Sequence, residues 1–497
     1  MRISKRIMLL PCVAVFTASA QSLTNRPALY HWATGAAAGR ADIVMLGDSN
    51  QLKDGYGWNG GYIDSLKVSR GLYATGLLWA GENSGAGAQD GEGYYTISSG
   101  SGVFAYAGAP QAVGTYAQFS SPQCEYLYLP SGAVSGARNM GMVVAGALNT
   151  SAALRWWLTD CTFPDAGGSY SPAVRLAAAP YSTVASFGSI STGGGYGLRT
   201  QSFFMSPDGN RTGPLEFRYA PYTFSTALTA PLLFLWTRCE EINVATGVSV
   251  HTLYYWGGKS ARQMAASMQS ASDEMLTAYF SEVRRLQGAE KYVLIRLSQG
   301  VNDINETLPS VPHGITPGSS PAAFADNMGY CIDRIQGIWE TNGWAQDELT
   351  FLISCAHALG AADDPKQVRL VAYRQAATGL IASHPNLAVC DLAAEVPYAT
   401  MLSSGYYITP APGQPVDTAH LSRLGYQALS QIETASLIQG PPCPADFNQD
   451  GGVDGPDIEA FFTAWSNADG VADVNFDGGI DGGDIETFFA AWERGGC

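Results

Sequence analysis

The chain has 497 residues, 46% of them hydrophobic and 11% aromatic, which excludes a disordered polymer and exceeds the length of one typical domain. Its formal net charge of −16 leaves no basic surface of the kind phosphate requires, so nucleic acid is not an expected partner. Past the first residues no apolar stretch is long enough to span a membrane, and none is expected to.

The chain opens with Lys5 and Arg6, an apolar run, and the small-residue site Ala18-Ser19-Ala20, which together read as a secretory signal peptide over 1–20. Export is expected, to the medium or the cell surface, with the periplasm as the other compartment such a signal serves. Cys12 lies in the signal, so eight of nine cysteines remain in the mature chain. For Cys124, Cys161 and Cys239 in one region and Cys331, Cys355 and Cys390 in another, spacing leaves two readings: a bridge between the regions, or free buried thiols.

An apolar strand over 42–46 ends at Gly-Asp-Ser-Asn and is followed by a helix near 62–72. From about 96 to 247 short alternating runs such as "LRWWLT" and "LEFRYA" lie between Gly, Ser and Pro turns, the texture of a β-sandwich. Strand "VSVHTLYY" follows, then a Gly257-Gly258 turn and a helix from Ser260 whose Met264, Met268, Met275 and Tyr279 are read as core packing. Strands "YVLIRL", "LTFLIS" and "LAVCDL" come next, with a helix opened by the cap and first-turn pair Asp364-Pro365. Strands alternating with helices imply a parallel sheet covered on both faces, interrupted by the β-rich insertion. The expected layout is 1–20 signal, 21–95 α/β domain first part, 96–247 insertion, 248–438 α/β domain second part, and 439–497 C-terminal repeats.

Acyl transfer needs an activated hydroxyl, a base, a group orienting the base and donors for an oxyanion, and parallel sheets gather such groups at the carboxyl ends of strands. There stand Ser49 in "GDSN", Asn302 in "GVND", and Asp417 three residues before His420 in "DTAH". In this order the motifs, with Gly258 in "GGKSARQM", resemble the blocks of the GDSL/SGNH hydrolase superfamily. The resemblance covers roughly 41–95 and 248–435 and implies a three-layer, flavodoxin-like α/β fold. It further implies Ser49 as nucleophile, His420 as base and Asp417 as its orienting partner, one loop delivering the last two. The Ser49 and Gly258 amides and the Asn302 side chain would face the oxyanion, and catalysis needs no cofactor. Asn50 departs from the family, which often has an apolar residue there. Some carbohydrate esterases of this superfamily carry a carbohydrate-binding β-sandwich after the nucleophile block. Trp156, Trp157 and Tyr170 are therefore candidates for stacking on sugar, with sandwich core as the other reading. Of the other histidines, 31, 251, 313, 357 and 384, none has comparable partner spacing, and His313 is read as a loop residue.

From 441 onward twelve acidic residues face Arg494 alone. The stretch is an internal repeat: "ADFNQDGGVDGPDIEAFF" and "ADVNFDGGIDGGDIETFF". Calcium takes six to eight oxygens from alternating loop positions around a glycine bend. Asp446, Asn448, Asp450, Asp454 and Asp457, with the Gly452 carbonyl, form one candidate set; Asp473, Asn475, Asp477, Asp481 and Asp484, with Gly479, form the other. The twinned loop and helix resemble a dockerin, an EF-hand-like α module, which implies structural calcium and a cell-surface or cohesin-like partner. Gly455-Pro456 and Gly482-Gly483 stand where cohesin-reading hydroxyl residues are frequent, which favours a generic calcium-stabilised association module. Cys443 and Cys497 bracket the repeats as a candidate clasp, and "GPPCP" reads as the linker.

The expected protein is an exported serine esterase that removes acyl groups, above all acetyl, from a polysaccharide or other ester substrate. The alternatives are a lipase-type acylhydrolase on longer acyl chains and an inert carbohydrate-binding scaffold.

Overall fold

A computed structural model describes residues 23–51, 56–79, 95–99, 127–129, 139–144, 148–162, 169–176, 182–191, 197–211, 213, 215–221, 232–255, 257–305, 320–409, 413–439, 443–448, 452–475 and 479–493. The signal segment, Cys124, His313, Asp450, Asp477 and Cys497 lie outside these residues, as does most of the linker.

Five strands build the parallel core: Arg40–Gly47, Gly247–Tyr255, Val293–Gln299, Leu349–Cys355 and Leu387–Asp391. In space the second lies outside the first and the other three follow on its far side, the flavodoxin-like order 2-1-3-4-5. The strands are apolar almost throughout because both faces are covered. Alternation sorts their side chains: Ile43 and Met45 point to the layer that holds Trp32, Tyr62 and Tyr426, whereas Val44 and Leu46 point to the one that holds Met264, Phe280 and Ile332. Helices Tyr30–Ala38, Gly57–Ser69 and Arg423–Ile438 make the first layer; Ala261–Ser270, Asp273–Arg284, Pro321–Thr341 and Pro365–Gly379 make the second. The Met264, Met268, Met275 and Tyr279 stripe is fully buried there, as core.

Two features of this domain lack a local sequence signal. Leu23–Thr24 adds an antiparallel strand along Leu387–Asp391 and covers that sheet edge. Beneath the sheet's first layer, Arg296 on the central strand pairs with Glu433 at 2.8 Å, both buried. The Arg296 guanidinium also bonds Tyr62 Oη at 3.0 Å and Ser354 Oγ at 2.8 Å and lies 4.7 Å from the Trp58 ring. Glu433 belongs to Arg423–Ile438, so the pair ties that helix to the sheet.

Between the first two core strands the described residues form a two-stranded sheet, Ser169–Tyr170 with Ile190–Ser191, and two five-stranded antiparallel ones. One runs Thr183–Ser186, Ala173–Leu176, Leu215–Pro221, Asn139–Val144, Tyr95–Ser99; the other is built on Gly197–Met205, Leu154–Thr162 and Leu232–Glu241, with Leu78–Trp79 and Leu127–Leu129 pairing to the last. Trp156 from the second sheet stacks on Phe217 from the first at 5.0 Å and is fully buried. Trp156 is therefore core and cannot stack on sugar. Trp157, on the opposite face of its strand, lies under the Arg285 guanidinium at 3.7 Å and gives its indole N–H to Glu240 at 3.3 Å, which joins this unit to the α/β domain. The Tyr170 side chain lies outside the described residues. Cys239, Cys331, Cys355 and Cys390 are free and buried, as the second cysteine reading holds for these four.

At the C-terminus helices Gly455–Ser466 and Gly482–Glu493 stack Phe461 on Phe488 at 4.4 Å, both fully buried in a small core of their own. Cys443 is disulfide-bonded.

Candidate active site

Ser49 sits in the turn two residues past strand Arg40–Gly47, next to the point where strand order reverses, where an open parallel sheet leaves a crevice. That turn is held tightly from below. Trp58 N–H donates to the Asn50 carbonyl at 3.0 Å and Asn59 N–H to the Gln51 carbonyl at 3.1 Å. Gly57, at φ +46°, has no room for a side chain, since a Cβ there would lie 2.4 Å from the Asn50 carbonyl oxygen.

Ser49 Oγ is 2.9 Å from His420 Nε2, and His420 Nδ1 is 2.9 Å from Asp417 Oδ2. The second Asp417 oxygen accepts the backbone N–H groups of Ala419 at 2.9 Å and His420 at 3.3 Å. Burial alone would raise the Asp417 carboxyl, but the His420 ring N–H and these backbone donors outweigh it and hold the group below its ordinary value. Asp417 stays ionised and fixes the tautomer in which Nδ1 carries the proton and Nε2 faces the serine. Asp417 and His420 ride on strand Asp417–Leu421, which pairs with Tyr407–Ile408, rather than on the loop that the sequence suggests. The hairpin is exposed: the Asp417 side chain is 44% accessible and that of His420 26%.

Gly258 has φ +72° in the turn ahead of helix Ala261–Ser270, a backbone conformation suited to glycine. Its neighbour Gly257 abuts the nucleophile, a Cβ there lying 3.7 Å from that of Ser49. Asn302 gives its two side-chain N–H bonds to Asp48 Oδ2 and the Lys259 carbonyl, each at 3.0 Å. Asn302 thus joins the nucleophile turn to the glycine turn.

The sequence motifs assign no role to several residues of the site, although three of them lie within those motifs. Buried Asp48 accepts Asn50 N–H at 2.9 Å and the Asn50 side-chain amide at 3.1 Å, and Asn50 in turn accepts the Tyr426 hydroxyl at 2.6 Å. The Asn50 departure from the family pattern is thereby accounted for: an apolar residue would keep the backbone bond to Asp48 but could neither give it a side-chain amide nor accept the Tyr426 hydroxyl. Burial pushes the Asp48 carboxyl up, against the pull of the Asn50 donors and of His420. Asp303 accepts the N–H of Ala261 at 3.0 Å and of Gly300 at 3.1 Å, capping the helix that follows the glycine turn. Only the pairing of Asn302 with Asp303 in one block hinted at this. His357 and its partners are taken up below.

In the tail, Asp457 accepts the N–H of Asn448 and of Asp454, both at 2.9 Å, and Asp484 accepts that of Asn475 at 3.3 Å and of Asp481 at 2.8 Å. The twelfth carboxylate closes each loop by the same bonds to its third and ninth positions. An all-oxygen donor set of this kind fits a hard cation such as calcium. Asp450 and Asp477 fall outside the described residues, and among the described residues no group of three or more His, Cys, Asp or Glu side chains converges on one point.

No family model matches the chain, and no curated protein does. Among solved structures it is similar to one described as "Peptidoglycan O-acetylesterase in action, 5 min", at 14% identity and a TM-score of 0.52, over 84% of this chain and 97% of that one. A member of the lipolytic protein G-D-S-L family from Veillonella parvula aligns at 13% identity over 38% of this chain and 79% of that one, with a TM-score of 0.23. The second cellulose-binding domain of a Cellulomonas fimi β-1,4-glucanase aligns at 13% identity over 35% and 96%, with a TM-score of 0.21. The last two are too distant in shape to carry an argument. The first likeness shows the fold alone: this chain shares its overall α/β architecture with that solved structure. No helix among the described residues is long and apolar enough to cross a membrane.

Proposed function

We propose that the protein is an exported serine esterase that removes acetyl groups from a polysaccharide. The observation that carries this reading is the unbroken hydrogen-bonded chain from Ser49 Oγ through His420 to Asp417. Ser49 Oγ attacks the ester carbonyl as His420 Nε2 takes its proton. The imidazolium, stabilised by Asp417, then passes that proton to the leaving sugar hydroxyl, and an acetyl-serine remains. Water, deprotonated by His420, attacks that ester and releases acetate and the free serine. The Ser49 and Gly258 amides and one N–H of Asn302 would receive the oxyanion, Asn302 giving up one of its two present acceptors; each such donor contributes about 3 kcal/mol.

The polysaccharide part of the reading draws support from the solved peptidoglycan O-acetylesterase, whose alignment over 84% of this chain extends beyond the α/β domain. Within the proposal the two five-stranded sheets form an inserted sandwich. The paired C-terminal loops form a calcium-bound, dockerin-like module for attachment, with Asp446, Asn448, Asp450, Asp454, Asp457 and the Gly452 carbonyl on one ion and the matching residues on the other.

The test is acetate release from O-acetylated peptidoglycan, acetylated xylan and a synthetic acetyl ester by the mature protein and its Ser49→Ala variant, with calcium binding measured in parallel. Release should fall by about four to six orders of magnitude in the variant, with calcium binding unchanged. Turnover of long-chain esters only would move the reading to a lipase-type acylhydrolase. No Ser49-dependent release would return it to an inert scaffold.

A further inference from the structure

The hairpin carrying Asp417 and His420 is seated on the core by buried Tyr407 and Leu421 and tied by hydrogen bonds to the turn after one sheet strand. After strand Leu349–Cys355, His357 and Ala358 face the hairpin and bond to both of its strands. His357 Nε2 lies 3.0 Å from the Thr418 carbonyl, and the Tyr407 hydroxyl donates to the Ala358 carbonyl at 2.5 Å. Thr418 lies between Asp417 and His420, and Tyr407 pairs with Leu421 on the opposing strand. A carbonyl only accepts, so His357 Nε2 carries the proton and donates. His357 is 2% exposed and packs 6.0 Å from the Tyr407 ring. It also lines a small cavity with Asp48, Asn50, Trp58 and Gln299, directly behind the nucleophile turn.

We infer that His357 is a positioning residue for the acid–base pair: its bond to the Thr418 carbonyl sets the height of the Asp417–His420 segment over Ser49. This rests on the esterase reading above. The physical need is plain. Asp417 and His420 are on a two-stranded, solvent-facing hairpin, whereas Ser49 is fixed to the buried core, and a displacement of about 1 Å between reacting groups costs about 100-fold in rate. Burial pushes the His357 imidazole down to about 4, against the Thr418 bond, so it serves as a neutral donor and not as a second base.

The test compares His357→Ala and His357→Gln, glutamine placing an amide N–H near the position of Nε2. With a synthetic acetyl ester, His357→Ala should lower kcat about 10- to 100-fold with KM within about twofold. His357→Gln should recover most of the loss. Proton NMR should show the deshielded His420 Nδ1–H signal in the wild type and the Gln variant, and its weakening in the Ala variant. Melting curves establish that each variant is folded; were the Ala variant unfolded, the Gln variant and its NMR signal would decide alone, a wild-type-like result supporting the role and a lost signal overturning it. Wild-type kcat in His357→Ala, or equal losses in both folded variants, would overturn the positioning role while leaving the esterase in place. A wild-type protein without Ser49-dependent turnover would overturn both.

Discussion

The two halves of the candidate site are built in opposite ways. Ser49 follows a strand whose residues are buried on both faces, and its turn is pinned from below by backbone bonds to helix Gly57–Ser69. Asp417 and His420 sit partly exposed on a short hairpin that Tyr407 and Leu421 seat on the core and that hydrogen bonds tie to the His357–Ala358 turn. The nucleophile is thus placed by packing on both faces of its strand, which resists small changes as a whole, and the base by two buried side chains and a few hydrogen bonds, each of which matters singly. Chemistry there should be sensitive to point changes on the hairpin, and stability to point changes under the nucleophile.

The largest effect is expected where the hairpin is broken chemically. Asp417→Asn keeps the size of the side chain but favours the wrong imidazole tautomer, and should lower kcat about 10⁴-fold with little change in melting temperature, read by steady-state kinetics and calorimetry. On the packed side the opposite pattern is expected. Glu433→Ala leaves the Arg296 guanidinium buried beneath Trp58 without its carboxylate, and should cost about 3–5 kcal/mol in urea unfolding. The triad residues of the folded variant should keep their bonds. If Asp417→Asn unfolded the protein, or Glu433→Ala lowered kcat at full stability, the division would fail.

The smallest effect sharpens the comparison through pH. The folded His357 takes up a proton only near pH 4, whereas in the unfolded chain it does so near its ordinary value of 6.5. The folded state therefore holds the full contribution above about pH 6.5 and loses it as pH falls through that window, by up to about 3 kcal/mol. Urea midpoints of the wild type and His357→Gln should converge with acid, the Gln variant falling less steeply. His251, buried against Asp42 and likewise pushed down by burial, remains in both and retains part of the slope.

Much of this was legible in the chain. The strand runs, the helix opened by Asp364-Pro365 with its Asp364 bond to Lys366 N–H at 2.8 Å, and the nucleophile and acid–base motifs are local patterns, and the structure brings Ser49, His420 and Asp417 into contact. What escaped depends on contacts far apart in sequence. His357 meets Thr418 across 61 residues and Asn50 meets Tyr426 across 376, so neither pair leaves a spacing to recognise. Trp156 and Trp157 are neighbours of one chemical type, yet strand alternation sends one into the core and the other to the junction with the α/β domain. The tail was more legible because duplication repeats the pattern, and the paired Asp457 and Asp484 bonds repeat with it.

The order of the parallel strands also bears on how the chain comes to fold. Arg40–Gly47 lies one strand in from the edge of the sheet, and its two neighbours are Gly247–Tyr255 and Val293–Gln299, so synthesis must run some two hundred residues further before this strand finds any partner. The antiparallel sheets between them draw all their strands from within that interval and can assemble while the first strand waits. Once formed, they bring the ends of the interval together and shorten the effective loop that the pairing of Arg40–Gly47 with Gly247–Tyr255 must close. The Leu23–Thr24 edge comes last of all, since its partner is made more than three hundred and sixty residues later. By its own local pairings the intervening unit can thus ease the closure of the sheet strands that flank it.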